Sequence, residues 1–294
     1  MNKYYYFIVP GLVLLLALNS NTHNFIFGHT FSGDESASFL TIVEMIKIES
    51  QLAQKDLASN ATNAKEHAEH TTEHITANDT KEINERNPRL ATELNNTLSD
   101  FVKTFESQSP SESTVKDKVS NLGDVLSEIV SARIDKEQLD NVTVKALVVN
   151  DLVGEGLEHY NSSLGMEENK TTASNATENG SNETAKIVND PDYQSAQAAI
   201  SRAIDLYNEI KPSGNANSTQ LGNSLNSLKD TIDSKSPFDQ ADKIVDDKIT
   251  PLLNGMFKLK LAEEAGHGGE GDHAGEGQSN KGEEQHSSSG NETH

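Results

Sequence analysis

Three histidines, His67, His70 and His74, form the pattern H-x-x-H-x-x-x-H. Residues three and four apart share one helix face. At 100° per residue the three imidazoles fall within a ~60° arc and span ~10 Å of rise. A pair such as His70 and His74 can chelate one ion, with the third assisting from one side. Imidazole suits Cu(II), Ni(II) and Zn(II), so the expected ligand is Cu(II) or Zn(II). Glu66, Glu69 and Glu73 repeat the spacing one residue back and add negative charge. Nearby negative charge raises histidine basicity.

The apolar stripe of the same helix is Ala64, Ala68, Thr71 and Ile75. The histidine arc sits roughly 100° from it at helical spacing, which predicts a flank or solvent face rather than core. The competing reading is an ordinary polar face that happens to hold histidines. Further histidines add to the candidate set. Cleavage after Gly28 would leave His29 at the mature N-terminus, where amine and imidazole together could begin a copper brace. His267 and His273, with His286 and His294, lie among Gly and Glu at the C-terminal end. Such a tail holds metal loosely or serves as a solubilising spacer.

Other chemistries lack their signatures. The helical region has no E-x-x-H pair of the di-iron type; that spacing occurs in the tail, as in Glu270/His273. No H-E-x-x-H, G-x-S-x-G or phosphate-binding Gly motif is present. No catalytic residue is assigned, and the expectation is a protein that is not an enzyme.

The charge of −22 disfavours nucleic acid and anionic head groups and attracts cations. Aromatic content of 5% without Trp argues against stacking platforms. The absence of Cys removes disulfides, thiolate metal sites and Cys nucleophiles.

Lys3 followed by the apolar run Tyr4 to Leu18 reads as a signal-peptide core. Its 15 residues are short for a span, which needs roughly 20. Residues 1–28 are therefore a signal peptide or an uncleaved N-terminal anchor, and the chain beyond is extracytoplasmic. Membrane contact is expected only through that segment. Eleven N-x-[ST] sequons agree with an outside location: Asn60, Asn78, Asn95, Asn141, Asn161, Asn169, Asn175, Asn179, Asn182, Asn217 and Asn291.

The elements that must carry these groups are helical. Ser32-Gly-Asp-Glu35 is a capping box opening a helix to about Ala58, with Phe39, Ile42, Val43, Ile46 and Ala53 at helical spacing. A second helix runs from about 62 to 77. A third reaches about 107, kinked at Pro88. Later helices cover about 115–134, 143–160, 190–211, 218–233 and 236–262, the last kinked at Pro251. Residues 161–186 lack apolar periodicity and read as a flexible, glycosylatable loop; 263–294 read as a disordered tail. The fold class is all-α: an extracytoplasmic bundle of about eight helices over residues 29–262. Shifting Ala64, Ala68, Thr71 and Ile75 by 157 residues gives Leu221, Leu225, Leu228 and Ile232, which suggests two related three-helix units.

The segments Gly28-His-Thr-Phe-Ser-Gly-Asp-Glu-Ser-Ala-Ser-Phe-Leu40, Glu66-His-Ala-Glu-His70 and Asp192-Tyr-Gln-Ser-Ala-Gln197 resemble a group of exported helical proteins from ammonia-oxidising archaea. The likeness covers most of residues 28–262, outside the sequon loop and the tail. It implies an archaeal outer face, where Asn glycosylation is usual and copper proteins are abundant. It implies no catalytic residues.

The leading expectation is binding or buffering of a transition metal, copper first, through His67, His70 and His74. The main alternative is a glycosylated surface protein with a partner in the cell envelope or a membrane complex and no metal role. A solute-sensing bundle is the second alternative. Metal handling predicts converging imidazoles, scaffolding a broad exposed apolar strip, and sensing an enclosed cavity.

Overall fold

The computed structural model describes residues 32–106, 110–166 and 184–259. Among them there is no strand, and the all-α expectation holds. The helices are α1 (Gly33–Asp56), α2 (Ala61–Glu73), α3 (Ala77–Arg86), α4 (Pro88–Glu106), α5 (Glu112–Arg133), the short α6 (Lys136–Leu139), α7 (Val142–Ser163), α8 (Asp190–Ile210), α9 (Ala216–Asp233), α10 (Phe238–Ile244) and α11 (Thr250–Phe257). No helix among the described residues is long and apolar enough to cross a membrane.

Local chemistry sets the boundaries. Ser32 and Glu35 close the capping box that starts α1. Asn60 Oδ1 accepts the Asn63 amide and starts α2, while Asn189 Oδ1 accepts the Asp192 amide and starts α8, followed by Pro191 near its first position. Pro88 does more than kink. The residue before proline is pushed out of the helical region, so Asn87 is extended and α3 and α4 are separate helices. Pro251 lacks the amide that Asp247 would need. The preceding turn widens into a π segment (Val245–Ile249), which lets α10 and α11 run on as one rod. The expected loop from 161 begins later than its composition suggests, because α7 continues to Ser163. The remainder of that loop, 167–183, lies outside the described residues.

α1 is the central element. One of its faces packs with α4 and α5 through Phe39, Val43, Ile46, Leu90, Leu94, Leu122, Leu126 and Ile129. Farther along, Ala53 meets Ala64 and Ala68 of α2 and Phe101 and Phe105 of α4. The alanines let α2 approach α1 closely. α1 also packs on α7 and α8, which form the most extensive helix pair. That closeness has a local cause: a Cβ on Gly156 would fall 2.5 Å from Ile200 Cδ1 and 2.8 Å from its Cγ1. Ile200 is fully buried, so a side chain at 156 would force it to repack. Tyr193 of α8 donates to Ile232 O, tying α9 to this pair. The stripe Leu221, Leu225, Leu228 and Ile232 is buried as its spacing predicts.

Candidate metal centre

The interior where α1, α2, α7 and α8 meet is polar. Glu49 of α1 is fully buried, inside the same helix face that carries Ile46 and Ala53. His67 of α2 is fully buried as well, with Nδ1 2.7 Å from Glu49 Oε2. His70 Nδ1 lies 3.6 Å from the same oxygen. His74 is half-buried, and so is His159, which comes from α7. The rings form a row, with centroids 6.2 Å apart for His67–His70, 6.1 Å for His70–His159 and 6.0 Å for His159–His74. Two donor triplets result: Glu49, His67 and His70, and Glu49, His74 and His159. Within each triplet the candidate ligand atoms lie within 4.8 Å of one another.

This corrects the expectation that the histidine arc is a flank or solvent face. The Ala64–Ala68 stripe marks only the contact with α1. α2 is also covered by α4 and α8, so a surface 100° from its stripe still faces protein. The three histidines face inward rather than forming an exposed patch, His67 and His70 in one triplet and His74 in the other, both around Glu49.

Outer partners hold the ligands. Asp192, buried at the start of α8, accepts from His159 Nδ1 at 2.9 Å. Its other oxygen accepts from Ser162 Oγ at 2.8 Å and Asn189 Nδ2 at 2.6 Å. With Nδ1–H committed to a carboxylate, His159 presents Nε2 as its lone pair, the usual way a protein fixes a ligating imidazole.

No family model, curated protein or solved structure matches this chain.

The electrostatics of the cluster are uneven. Burial by itself would raise the Glu49 carboxyl, but the hydrogen bond from His67 and the His70 imidazole 3.6 Å away reverse that and hold it well below its ordinary value. Burial would lower His70, yet Glu49, Glu73 and Asp192 carry it up to about 9. His74 is pushed down to about 4, chiefly by burial, with the charges of His159 and His70 adding to it. His159 ends raised, because Asp192 and Glu49 outweigh its burial. At neutral pH Glu49 is therefore anionic, His70 carries a proton and His74 offers a free lone pair. Four buried atoms of the cluster have no hydrogen-bond partner: Glu49 Oε1, His67 Nε2, His70 Nδ1 and His74 Nε2.

Sequence reasoning missed Glu49, His159 and Asp192. Glu49 stands three residues after Ile46 and four before Ala53, so an acid interrupts an apolar stripe. His159 follows the inward-facing Leu152 by seven residues and Gly156 by three, which places it on the buried side of α7. His29, His267 and His273 lie outside the described residues. Of the sequons, Asn60, Asn78, Asn95, Asn141 and Asn217 are exposed and Asn161 is half-buried. Asn169, Asn175, Asn179, Asn182 and Asn291 lie outside the described residues. Asn60 and Asn141 cap helices through Oδ1, which leaves Nδ2 for a glycan. Two surface grooves, of about 400 and 460 Å³, include no residue of the cluster.

Proposed function

We propose that this protein holds a transition metal, Cu(II) ahead of Zn(II), between Glu49, His67, His70, His74 and His159, and does so outside the cytoplasm. The observation that carries the reading is the set of buried donor atoms without hydrogen-bond partners in the two triplets that share Glu49. A buried polar group left without a partner costs about 1–3 kcal/mol. Bound metal accepts lone pairs from such atoms and offsets that cost.

The donor chemistry narrows the ion. Imidazole and carboxylate without thiolate or thioether favour Cu(II), Ni(II) and Zn(II) over Cu(I), and among divalent ions such sites bind copper most tightly. The proton on His70 must leave when an ion enters, so binding releases protons and weakens in acid. Glu73, Glu155 and the net charge of −22 draw cations towards the half-buried edge formed by His70, His74 and His159. The reading assigns binding or buffering rather than turnover. The outside location rests on the N-terminal apolar run and on the exposed sequons. The surface-scaffold alternative calls for a broad apolar strip, whereas the exposed large apolar side chains among the described residues are Val142, Met166 and Val188.

The test is equilibrium dialysis of the full chain against Cu(II) and Zn(II) with a competing chelator, followed by elemental mass spectrometry. Copper is expected to stay with the native chain and to be lost when His67, His70 and His74 are replaced together by Ala. Equal copper in native and variant proteins overturns the reading.

A further inference from the structure

The donors are too spread out for one ion, and they divide cleanly. His67 of α2 and His74, the C-cap of α2, are seven residues apart, a rise of ~10 Å. They end in different triplets, His67 with His70 and His74 with His159. The rings run in file, His67–His70–His159–His74, at steps of 6.0–6.2 Å. One residue belongs to both triplets, and it is the single carboxylate of the set, Glu49. Its Oε2 faces His67 and His70, while its Oε1 is buried with no partner.

We propose that the cluster is a two-ion site, each ion held by two imidazoles and one oxygen of Glu49, with the carboxylate bridging them. The inference rests on the metal reading above and adds its stoichiometry and its internal organisation. A carboxylate has two oxygens and can serve two cations at the ~3.5–4 Å separation of two-metal sites. Each ion would then have a two-histidine, one-carboxylate set with coordination positions left open. Two adjacent cations repel, and the surroundings supply the compensation: Asp192 on His159, Glu73 beside His70 and Glu155 beside His159.

The experiment uses the full chain with His267, His273, His286 and His294 replaced by Ala, loaded with Cu(II) and desalted. Copper per chain is read by elemental mass spectrometry, as the excess over a His67, His70, His74 and His159→Ala control. The same samples are read by electron paramagnetic resonance, with circular dichroism confirming each fold. Two coppers are expected, with a spin count below two per chain because the bridged ions couple. The His74→Ala/His159→Ala and His67→Ala/His70→Ala pairs should each keep one copper, fully visible as an isolated Cu(II) signal. One copper in the native cluster, lost entirely in either pair, overturns the two-ion site and leaves the metal reading standing. No excess copper overturns the metal reading itself.

Discussion

Two buried ionic centres among the described residues are built on opposite principles. In the first, Arg133 of α5 is nearly inaccessible, ion-paired with Glu82 and 3.6 Å from Asp79 Oδ1 of α3, and its guanidinium lies 3.8 Å above the Phe39 ring. One cation meets two anions and an aromatic face. In the second, one carboxylate faces four imidazoles, and four buried atoms have no partner. A buried charge is tolerated when its partners are supplied. The protein supplies them at Arg133; at Glu49, on the proposed reading, a bound ion does. The first centre joins α3, α5 and α1; the second joins α1, α2 and α7 through donors without hydrogen-bond partners.

The comparison breaks most visibly under paired substitutions. Arg133→Ala should cost about 3–5 kcal/mol of stability, because two carboxylates lose their buried partner, and leave copper affinity unchanged. Glu49→Gln should show the reverse balance. Copper affinity should fall by more than the ~10–100-fold that loss of an outer partner costs, while metal-free stability falls by less than in Arg133→Ala, because His70 can shed its proton when the carboxylate is gone. Urea denaturation and chelator competition on both variants read this directly. Loss of metal-free stability in Glu49→Gln as large as in Arg133→Ala would make the two centres alike.

Saturating ion should stabilise the native chain and not the cluster variants. At a free concentration of 100 times Kd the gain is ~2.7 kcal/mol, or about 5–10 °C in Tm for a domain near this size. Differential scanning calorimetry with and without Cu(II) checks it, and Arg133→Ala should keep the full shift. Next in size, Asp192→Asn should weaken copper binding about 10–100-fold by releasing the His159 ring. His159→Ala in the same background should then add little, since both act through one ligand.

Acidity sharpens the contrast further. His74 is held down at about 4 against an ordinary 6.5, so its contribution is present above 6.5 and is lost as pH falls through 4. His70 is raised to about 9, so its contribution is present below 6.5 and is lost as pH rises through 9. Metal-free stability should therefore peak near pH 6.5 and fall on both sides, as denaturation at stepped pH would show. With an ion in place of the His70 proton, the alkaline limb should flatten. The smallest expected effect is at the surface: Arg89→Ala, which removes exposed pairs with Glu93 and Glu128, should change stability by no more than about 1 kcal/mol.

Helices were legible because each carries its own evidence. The Ser32–Glu35 box, the apolar face of α4 and the Asp190–Pro191 start are all local signals, although the cap of α8 is Asn189, one residue earlier than the sequence suggested. The site was legible only in part, because its logic is not local. The spacing of His67, His70 and His74 put three ligands on one face. It could not show that α2 is covered on more than one side, since an alanine stripe marks one neighbour and is silent about others. Glu49 reads as an ordinary helix-surface acid until its neighbours Ile46 and Ala53 are seen to be buried. Asp192 reads as a first-turn acid favoured by the helix dipole, which it also is. His159 is the hardest to find: nothing in α7 announces a partner on α2, and only the close approach of α7 to α8 at Gly156 brings it beside Asp192. Where Pro88 was expected to kink one helix, the conformational limit on Asn87 ends it.

The most direct test of the central claim is anomalous diffraction from crystals of the full chain grown with Cu(II), collected on both sides of the copper edge. The account expects copper density between Glu49 and the imidazoles of His67, His70, His74 and His159. Copper confined to surface carboxylates or to the terminal histidines, with the Glu49 cluster filled by water, would contradict it.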